Sequence, residues 1–165
     1  MIDVRQLEES EWELYRTIRL AALSDAPYAF GSTYEGELAF TEAKWRERAP
    51  SGAAGKESIC IIALDGDQGV GIAGGVTPPN NPRVSQLVSM WVHADHRGTD
   101  VATRLVAQVE VWAFDRGSER IICGLTQGNE RAAKFYEKVG FEPYVGELAT
   151  GATCYVALHK PLAVS

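Results

Sequence analysis

The order of apolar segments along the chain predicts a mixed α/β fold, and three observations support this class. Two strand-like runs separated by Asp65-Gly66-Asp67 are typical of a β-hairpin, because these residues favour a tight turn. Two amphipathic helical patterns follow in the second half, each after an apolar strand-like run. The strand–helix–strand passage over residues 84–125 has the order of a parallel, right-handed crossover. Strands and helices in this order indicate one mixed sheet covered by helices.

The first part of the chain predicts two helices. Ser10-Glu11-Trp12-Glu13 matches a capping box, and the apolar residues behind it recur at helical spacing until Pro27, which ends the helix. A shorter helix is predicted near residues 41–48, because Pro50 follows and a proline disfavours continuation of a helix. The loop of residues 51–55, rich in glycine and alanine, then leads to the first strand.

The remaining elements follow from β-branched apolar runs and from helical periodicity. One helix is predicted from Val101 to the C-cap residue Gly117, and a second over residues 129–139, closed by Gly140. Strands are predicted over residues 58–64, 69–76, 84–92 and 120–125, and near residues 141–145 and 153–159.

Composition places the chain among ordinary globular proteins. It has 165 residues, 45% of them hydrophobic and 23% charged, so residues 1–165 are expected to form one domain. The net charge of −6 argues against nucleic acid as a partner. No run approaches the roughly 18 apolar residues of a membrane span. The opening MIDVRQLEES is too acidic and polar for a signal peptide, so a cytoplasmic protein that binds no membrane is expected.

The cysteines and histidines show neither a catalytic nor a metal-binding pattern. The three cysteines are odd in number, lack a CxxC spacing and lie in apolar runs, so buried reduced thiols are expected. The three histidines do not have the spacing of metal ligands, so no metal is expected. These residues are Cys60, Cys123, Cys154, His93, His96 and His159.

Two segments carry a family resemblance. LVSMWVHADHRGTDVATRLV (residues 87–106) and NERAAKFYEKVGF (residues 129–141) together resemble the GNAT N-acetyltransferase superfamily, which transfers an acyl group from acetyl-coenzyme A to an amine. The stretch IRLAALSDAPYAFGSTYE (residues 18–35) is similar to the opening of many bacterial members. The first motif is matched by Arg97 and Ala102 but has Asp100 where the family has Gly. The second is matched throughout, by Asn129, Ala132, Phe135, Tyr136, Gly140 and Phe141.

The resemblance covers nearly all of the chain and implies the GNAT fold. This is an α/β (α+β) fold with a central mixed, mostly antiparallel, twisted sheet of six to seven strands and about four helices. It also implies acetyl-CoA as the cofactor, with its pyrophosphate at the N-terminus of the helix that begins near Val101. A helix N-terminus suits an anion because its first N–H groups lack partners inside the helix. The other interpretation is an ordinary loop-to-helix junction. The residues expected at the pyrophosphate are Arg97, Gly98, Thr99, Asp100, Val101, Ala102 and Thr103.

The resemblance also assigns roles around the thioester. The strands that end at Val92 and Leu125 are expected to splay apart, and the pantetheine arm then pairs with the backbone of Met90, Trp91 and Val92. A backbone N–H in this stretch would polarise the thioester carbonyl as an oxyanion hole does.

Two side chains of the second motif have expected roles. Tyr136 is the candidate catalytic residue, since a well-placed tyrosine hydroxyl can donate a proton to the departing thiolate; the alternative is a core aromatic beside Phe135. Asn129 is expected to bond the pantetheine arm, and it can also serve as a helix N-cap. The two roles of Asn129 are compatible.

The acceptor and the base are less defined. The acceptor is expected to be a small-molecule or peptide amine, and the acidic balance of the chain favours a cationic one. Family resemblance places its pocket near residues 26–40, with Phe30 and Glu35 as candidate contacts, and near the loop after Gly146. The strand over residues 84–92 has no carboxylate to act as a base. Glu35, Glu37 and His93 are candidates, with surface charge or loop residue as the other interpretation of each. A homodimer is compatible with the resemblance, although no feature demands it.

Asp100 leaves two hypotheses open. A carboxylate there favours an N-cap, and it could bond the N–H groups of Ala102 or Thr103 that a pyrophosphate needs. Two unit charges about 4 Å apart repel by roughly 1 kcal/mol in water and about 4 kcal/mol at an effective dielectric near 20, unless Arg97 or Arg104 offsets this. The chain is then either a working N-acetyltransferase with weakened cofactor binding, or a protein of the same fold that binds a ligand or catalyses another reaction. The intact second motif favours the enzyme.

Overall fold

The computed structural model describes residues 1–26, 33–53, 57–79, 81–126, 129–144 and 155–162, and the side chains of residues 50–53, 126, 155 and 156 are left out of the description. The elements in chain order are β1 (Ile2–Gln6), α1 (Trp12–Asp25), α2 (Tyr34–Leu38), α3 (Glu42–Ala53), β2 (Ser58–Asp65), β3 (Gln68–Val76), β4 (Val84–Val92), a short 3-10 helix (Ala94–His96), α4 (Val101–Asp115), β5 (Arg120–Thr126), α5 (Glu130–Lys138), β6 (Glu142–Pro143) and β7 (Tyr155–Pro161).

The seven strands form one mixed sheet in the order β1-β2-β3-β4-β5-β7-β6. Every neighbouring pair is antiparallel except β4 and β5, which are parallel because α4 crosses between them. The predicted class, a mostly antiparallel mixed sheet of six to seven strands, is therefore confirmed. The parallel crossover over residues 84–125 is confirmed as well.

Helices cover both faces of the sheet. Strand β2 shows why: Ile59, Ile61 and Ala63 join the core beneath α4, while Cys60 and Ile62 join the core beneath α1. A strand buried on both faces reads as a continuous apolar run rather than as an alternating one. This explains the unbroken SICIIAL of β2 and sets two opposite sides of the sheet, an α1/α3 side and an α4/α5 side.

The N-terminal elements required corrections. Strand β1 and helix α2 were not predicted, and α3 continues through Pro50 to Ala53 instead of ending before the proline. A proline costs a helix one hydrogen bond but its fixed φ is compatible with helical backbone. The capping box is also wrong, because Glu11 rather than Ser10 precedes the first turn of α1 and makes no side-chain cap bond. The Glu11 carboxylate is instead bonded to Arg5, at 2.8 and 2.7 Å.

Other expectations are met. Gly117 and Gly140 lie just after α4 and α5 with φ of 95° and 101°, a conformation that glycine adopts most easily. Cys60 and Cys123 are free and buried, and burial raises the pKa of each thiol to about 12. Cys154 lies outside the described residues, as does the loop after Gly146.

Neither a membrane-spanning helix nor a metal-binding cluster is found in the part of the chain that the structure describes. None of its helices has the length and apolar character needed to cross a membrane. No group of three or more His, Cys, Asp or Glu side chains is arranged to hold a metal ion in the same ranges.

Candidate active site

The sheet opens between β4 and β5. The parallel pairing runs from Val84 with Arg120 to Leu87 with Cys123 and then stops. Both strands continue: β4 stays paired with β3 as far as Val92, and β5 stays paired with β7 as far as Thr126. A gap therefore begins after Leu87, with an edge of β4 backbone facing it. The predicted splay is in the structure.

Strand β4 contains a bulge at the start of this gap. Ile72 pairs with Trp91 and Gly74 pairs with Val88, so two residues of β4, Ser89 and Met90, lie opposite one residue of β3. A bulge changes the direction of the side chains and backbone groups of the strand that carries it. Ser89 has a φ of 56°, the one described non-glycine residue with positive φ. Such a conformation is rare without glycine and points to a local constraint.

A buried ionic cluster provides that constraint on the α1/α3 side. Arg19 of α1 donates from Nη1 to the Ser89 hydroxyl at 2.7 Å. The same guanidinium donates from Nε and Nη2 to both oxygens of Glu37, at 2.9 and 3.0 Å. Arg48 of α3 donates from Nη1 to Glu37 Oε1 at 3.0 Å. Glu37 is 1% exposed and Arg19 is 7% exposed, so helices α1, α2 and α3 are fastened to the bulge by buried charge-assisted bonds.

This cluster gives Glu37 a structural role. Both of its oxygens already accept hydrogen bonds from guanidinium groups, which leaves it poorly suited to take a proton from an acceptor amine. The other two candidate bases lie elsewhere. Glu35 is exposed on α2. His93 is half-buried, and its Nδ1 accepts from the Asp95 N–H at 3.1 Å.

The loop before α4 has the shape of an anion site. Gly98 has a φ of 78°, and open space surrounds the position where a side chain would start. The Thr99 hydroxyl donates to the His96 carbonyl at 2.5 Å and accepts from the Val101 N–H at 3.4 Å. Within the described ranges, the N–H groups of Ala102 and Thr103 have no hydrogen-bond partner. Two adjacent backbone donors are thus left open at the positive end of α4.

Asp100 corrects one expectation. It is exposed and makes no side-chain cap bond, so its carboxylate does not occupy the donors of Ala102 and Thr103. The physical reason is its backbone, with φ of −85° and ψ of 1°, whereas a capping side chain reaches back from an extended residue. The two arginines expected to offset its charge also point elsewhere. Arg104 donates to the Ile2 carbonyl at 3.0 Å, and Arg97 turns towards α1.

Arg97 connects the loop before α4 to strand β4 and helix α1. Its Nε donates to the Val92 carbonyl at 3.0 Å, and its Nη2 donates to the Asp25 carboxylate at the end of α1. The same Asp25 oxygen accepts from the Trp91 indole N–H at 2.9 Å. These bonds, with the Trp91 indole first and the Arg97 guanidinium next, hold the pKa of Asp25 below its ordinary value. The side chain of Arg97 therefore positions the loop, and Asp25 joins the loop to α1.

The second motif lies on α5. The Asn129 side chain accepts from the Ala132 N–H at 3.3 Å, which confirms that Asn129 is a helix N-cap. Tyr136 is buried on the α4/α5 side, with its ring 5.3 Å from that of Phe135 and 5.4 Å from that of Phe141. Burial, and to a lesser extent the neighbouring Cys123 thiol, raises the pKa of the Tyr136 hydroxyl. Cys123 is the last residue of β5 paired with β4, so Tyr136 lies near the beginning of the gap.

The predicted cofactor residues thus fall into two groups. The first comprises Met90, Trp91 and Val92 of β4 with the loop and first turn of α4 that follow the short 3-10 helix, and the second comprises Asn129 and Tyr136 of α5. Phe30 lies outside the described residues. Arg19, Asp25, Arg48 and Ser89 were missed, although Arg19 had a signal: it interrupts the apolar stripe of α1 between Ile18 and Ala22, where a buried charge needs a partner.

The mixed sheet and its gap between β4 and β5 have the form expected of an acetyltransferase fold, and comparison with known proteins gives the family. The family model described as "Acetyltransferase (GNAT) family" matches residues 5–141. The chain belongs to this family, as its two motifs indicated.

Solved structures of the same fold cover almost the whole chain. An acetyltransferase of the GNAT family from Streptococcus pneumoniae has a TM-score of 0.78 at 15% identity, covering 99% of this chain and 100% of that one. The PaiA N-acetyltransferase from Thermoplasma acidophilum, solved in complex with coenzyme A, has a TM-score of 0.67 at 14% identity, covering 98% and 99%. At these identities the likeness shows the fold.

Sequence similarity to curated proteins is local. An uncharacterised N-acetyltransferase from Mycobacterium tuberculosis (strain ATCC 25618 / H37Rv) is 35% identical over 57 residues, which are 34% of this chain and 36% of that protein. The match thus spans about a third of the length of such relatives.

Proposed function

We propose that this protein is an N-acetyltransferase that transfers the acetyl group of acetyl-CoA to a primary amine of a small molecule or peptide, by direct attack in a ternary complex. The observation that carries the proposal is the continuity of two features. The open edge of β4 after Leu87 is followed, through the short 3-10 helix Ala94–His96, by the loop before α4, and two backbone donors are open at the start of that helix. Coenzyme A has an extended arm with a thiol at one end and a pyrophosphate at the other. Its arm matches the strand edge, and its pyrophosphate matches the open backbone donors.

The residues present fit this cofactor. The open space at Gly98 lets a phosphate approach the backbone, and the N–H groups of Ala102 and Thr103 can donate to it. Met90, Trp91 and Val92 supply the strand edge for the pantetheine arm. Acetyl-CoA, when bound, supplies the acetyl group as a thioester. The bulge at Ser89 and Met90 sets the direction of the backbone N–H groups that would polarise the carbonyl.

Tyr136 is proposed as the general acid. A tyrosine hydroxyl is protonated at neutral pH because its ordinary pKa is about 10, so it has a proton to donate to the departing thiolate. The neighbouring Cys123 is the last residue of β5 paired with β4, which supports a position for Tyr136 near the start of the gap. Asn129 would bond the arm through its amide N–H₂, because its cap bond uses the side-chain oxygen.

The experiment has a binding arm and a kinetic arm. Isothermal titration is expected to show acetyl-CoA binding by the native protein, and thiol release with a panel of primary amines is expected to show transfer. Tyr136→Phe should lower kcat about 10²- to 10⁴-fold, the usual contribution of a general acid, with the acetyl-CoA dissociation constant unchanged. Tyr144→Phe is the matched control, since Tyr144 packs against His159 rather than beside Cys123.

Two results would overturn the proposal in different ways. Absence of acetyl-CoA binding would reject the cofactor and with it the acetyltransferase activity. An unchanged kcat in Tyr136→Phe would leave the activity standing and remove Tyr136 from the mechanism.

A further inference from the structure

A pocket lies on the α1/α3 side of the sheet, next to the bulge. Its walls come from β2, β3 and β4 and from helices α1 and α3, and its cavity volume is about 290 Å³. Val88 and Ser89, at the start of the gap, form one side of it. The volume is at the lower end of ordinary ligand pockets and suits a molecule of roughly amino-acid size.

Arg48 gives this pocket a fixed positive group. Its guanidinium lies 5.6 Å from the Tyr15 ring, 5.3 Å from the Phe40 ring and 5.5 Å from the Trp45 ring, measured to the ring centroids. Cation–π contacts of this kind hold a guanidinium in one orientation. The side chain is 26% exposed and lines the pocket, in contrast to the buried Arg19.

The bonds to Glu37 leave Arg48 with donors to spare. Among the described residues, Arg19 donates to both Glu37 oxygens, while Arg48 donates one hydrogen bond, from Nη1. Two guanidinium groups therefore share one carboxylate. A guanidinium has five N–H donors in a planar fork that matches a carboxylate or another flat oxyanion.

The second charged residue of the lining, Glu47, does not cancel this charge. Its side chain is 74% exposed and lies 4.0 Å from Lys44 Nζ, so water and a neighbouring ammonium screen it. The rest of the lining is apolar or hydroxyl-bearing, as at Ile72, Val88 and Ser58. The enclosed part of the pocket is thus locally positive although the chain has a net charge of −6.

We propose that this pocket binds the acceptor and that the acceptor is an amino acid or a close analogue, whose carboxylate is bound by Arg48. The amine would then point towards Ser89 and the gap, where the thioester is expected. This rests on the proposed acetyltransferase function and narrows its acceptor. It also replaces the cationic acceptor that the overall charge favoured, because the local charge decides which group is bound.

The test measures binding without requiring turnover. Each proteinogenic amino acid and its carboxamide is titrated into the native protein, with and without coenzyme A. At least one amino acid is expected to bind tenfold or more tightly than its carboxamide. In Arg48→Gln that preference should disappear, since glutamine can still bond Glu37 but has no charge. Arg48→Lys, which keeps the charge without the planar fork, should keep a reduced preference.

Arg46→Gln is the matched control. It removes the same charge from the same helix, but Arg46 is paired with Glu42 at 3.4 Å, outside the pocket. The preference for the free amino acid should survive there.

Three outcomes would overturn the proposal: no amino acid binds in either condition, the carboxamides bind equally well, or the preference persists in Arg48→Gln. Titration with coenzyme A alone separates the two proposals. If the protein binds amino acids through Arg48 but does not bind coenzyme A, the proposed pocket stands and the proposed acetyltransferase function is rejected. If it binds coenzyme A but no amino acid, the acetyltransferase function stands and the proposed acceptor is rejected.

Discussion

Two regions border strand β4, and they treat charge in opposite ways. At Ser89 the cluster of Arg19, Glu37 and Arg48 has its charged groups bonded to one another, with Arg19 and Glu37 buried and Arg48 partly exposed. At Val92 the strand enters a loop where Asp100 is exposed and the donors at the start of α4 are open. In the first region charged groups of the protein are paired with one another, whereas in the second the backbone donors have no partner among the described residues.

Under the proposed function, the contrast explains how one strand can serve a reaction with two substrates. The acceptor side needs a fixed wall, because an attacking amine has to be held close to the thioester in one direction. The cofactor side needs unoccupied backbone donors, because the anion itself supplies their partners. Substitutions in the buried cluster should therefore change stability, and substitutions in the loop should change cofactor affinity.

The largest effect is expected in the buried cluster. Glu37→Gln removes the carboxylate shared by Arg19 and Arg48 and leaves two guanidinium groups without their anion. Breaking a buried ion pair from one side costs about 3–5 kcal/mol. Urea denaturation should therefore show a free energy of unfolding reduced by about that amount. Glu35→Gln, in the exposed part of the same helix, should stay within about 0.5 kcal/mol of the native protein. Equal unfolding midpoints for the two variants would show that the cluster adds little stability.

An intermediate effect is expected at Asp100. Its carboxylate is exposed and unpaired within the described residues, so the repulsion towards a bound pyrophosphate should be close to the aqueous figure of about 1 kcal/mol. Asp100→Gly and Asp100→Asn should each tighten acetyl-CoA binding about fivefold in isothermal titration. Raising the salt concentration should shrink the gain, because salt screens exposed charges.

Asp115→Asn is the comparison for this effect. It removes an equal charge at the opposite end of α4. If its affinity rises as much as that of Asp100→Asn, the gain reflects net charge rather than the loop. If neither Asp100 variant binds more tightly, the carboxylate lies clear of the cofactor.

The difference between the two regions also explains which parts of the site could be predicted from the sequence. The loop and the α5 cap are mostly local, so a motif can point to them. Thr99 and Asn129 bond residues close to them in sequence, and so does Arg97 through its bond to Val92, although its second bond reaches the distant Asp25. The cluster is assembled from distant parts. Arg19 and Glu37 are 18 residues apart, and Arg19 and Ser89 are 70 residues apart. No short sequence motif can therefore contain the members of this cluster.

The same reasoning applies to the elements. Strands β2 and β5 were predicted because burial on both faces makes them continuously apolar. Strand β1 lies at the sheet edge, and Val4 is its one buried side chain. The alternation of apolar and polar residues that would reveal a strand is therefore weak. The prediction that the Asp100 side chain caps α4 was wrong for a related reason. Its residue type favours an N-cap, but the backbone angles that decide capping are set by the turn before it.

The smallest effect is expected where the two regions are joined, at Asp25. Its carboxylate bonds Trp91 and Arg97, but its side chain is 39% exposed, and ion pairs of that kind contribute roughly 0.2–1 kcal/mol. Because its pKa is depressed in the folded state, the contribution is complete above the ordinary value of 3.8 and is lost as the pH falls through the lower folded value. Asp25→Asn should therefore be slightly less stable than the native protein in urea at pH 7 and pH 5, with the difference shrinking at pH 3. Asp115→Asn, which removes an equal charge, is the comparison. If the loss of unfolding free energy in Asp25→Asn is the same at pH 3 as at pH 7, Asp25 acts through its shape and not its charge. The contact between α1 and the loop before α4 would then depend on packing.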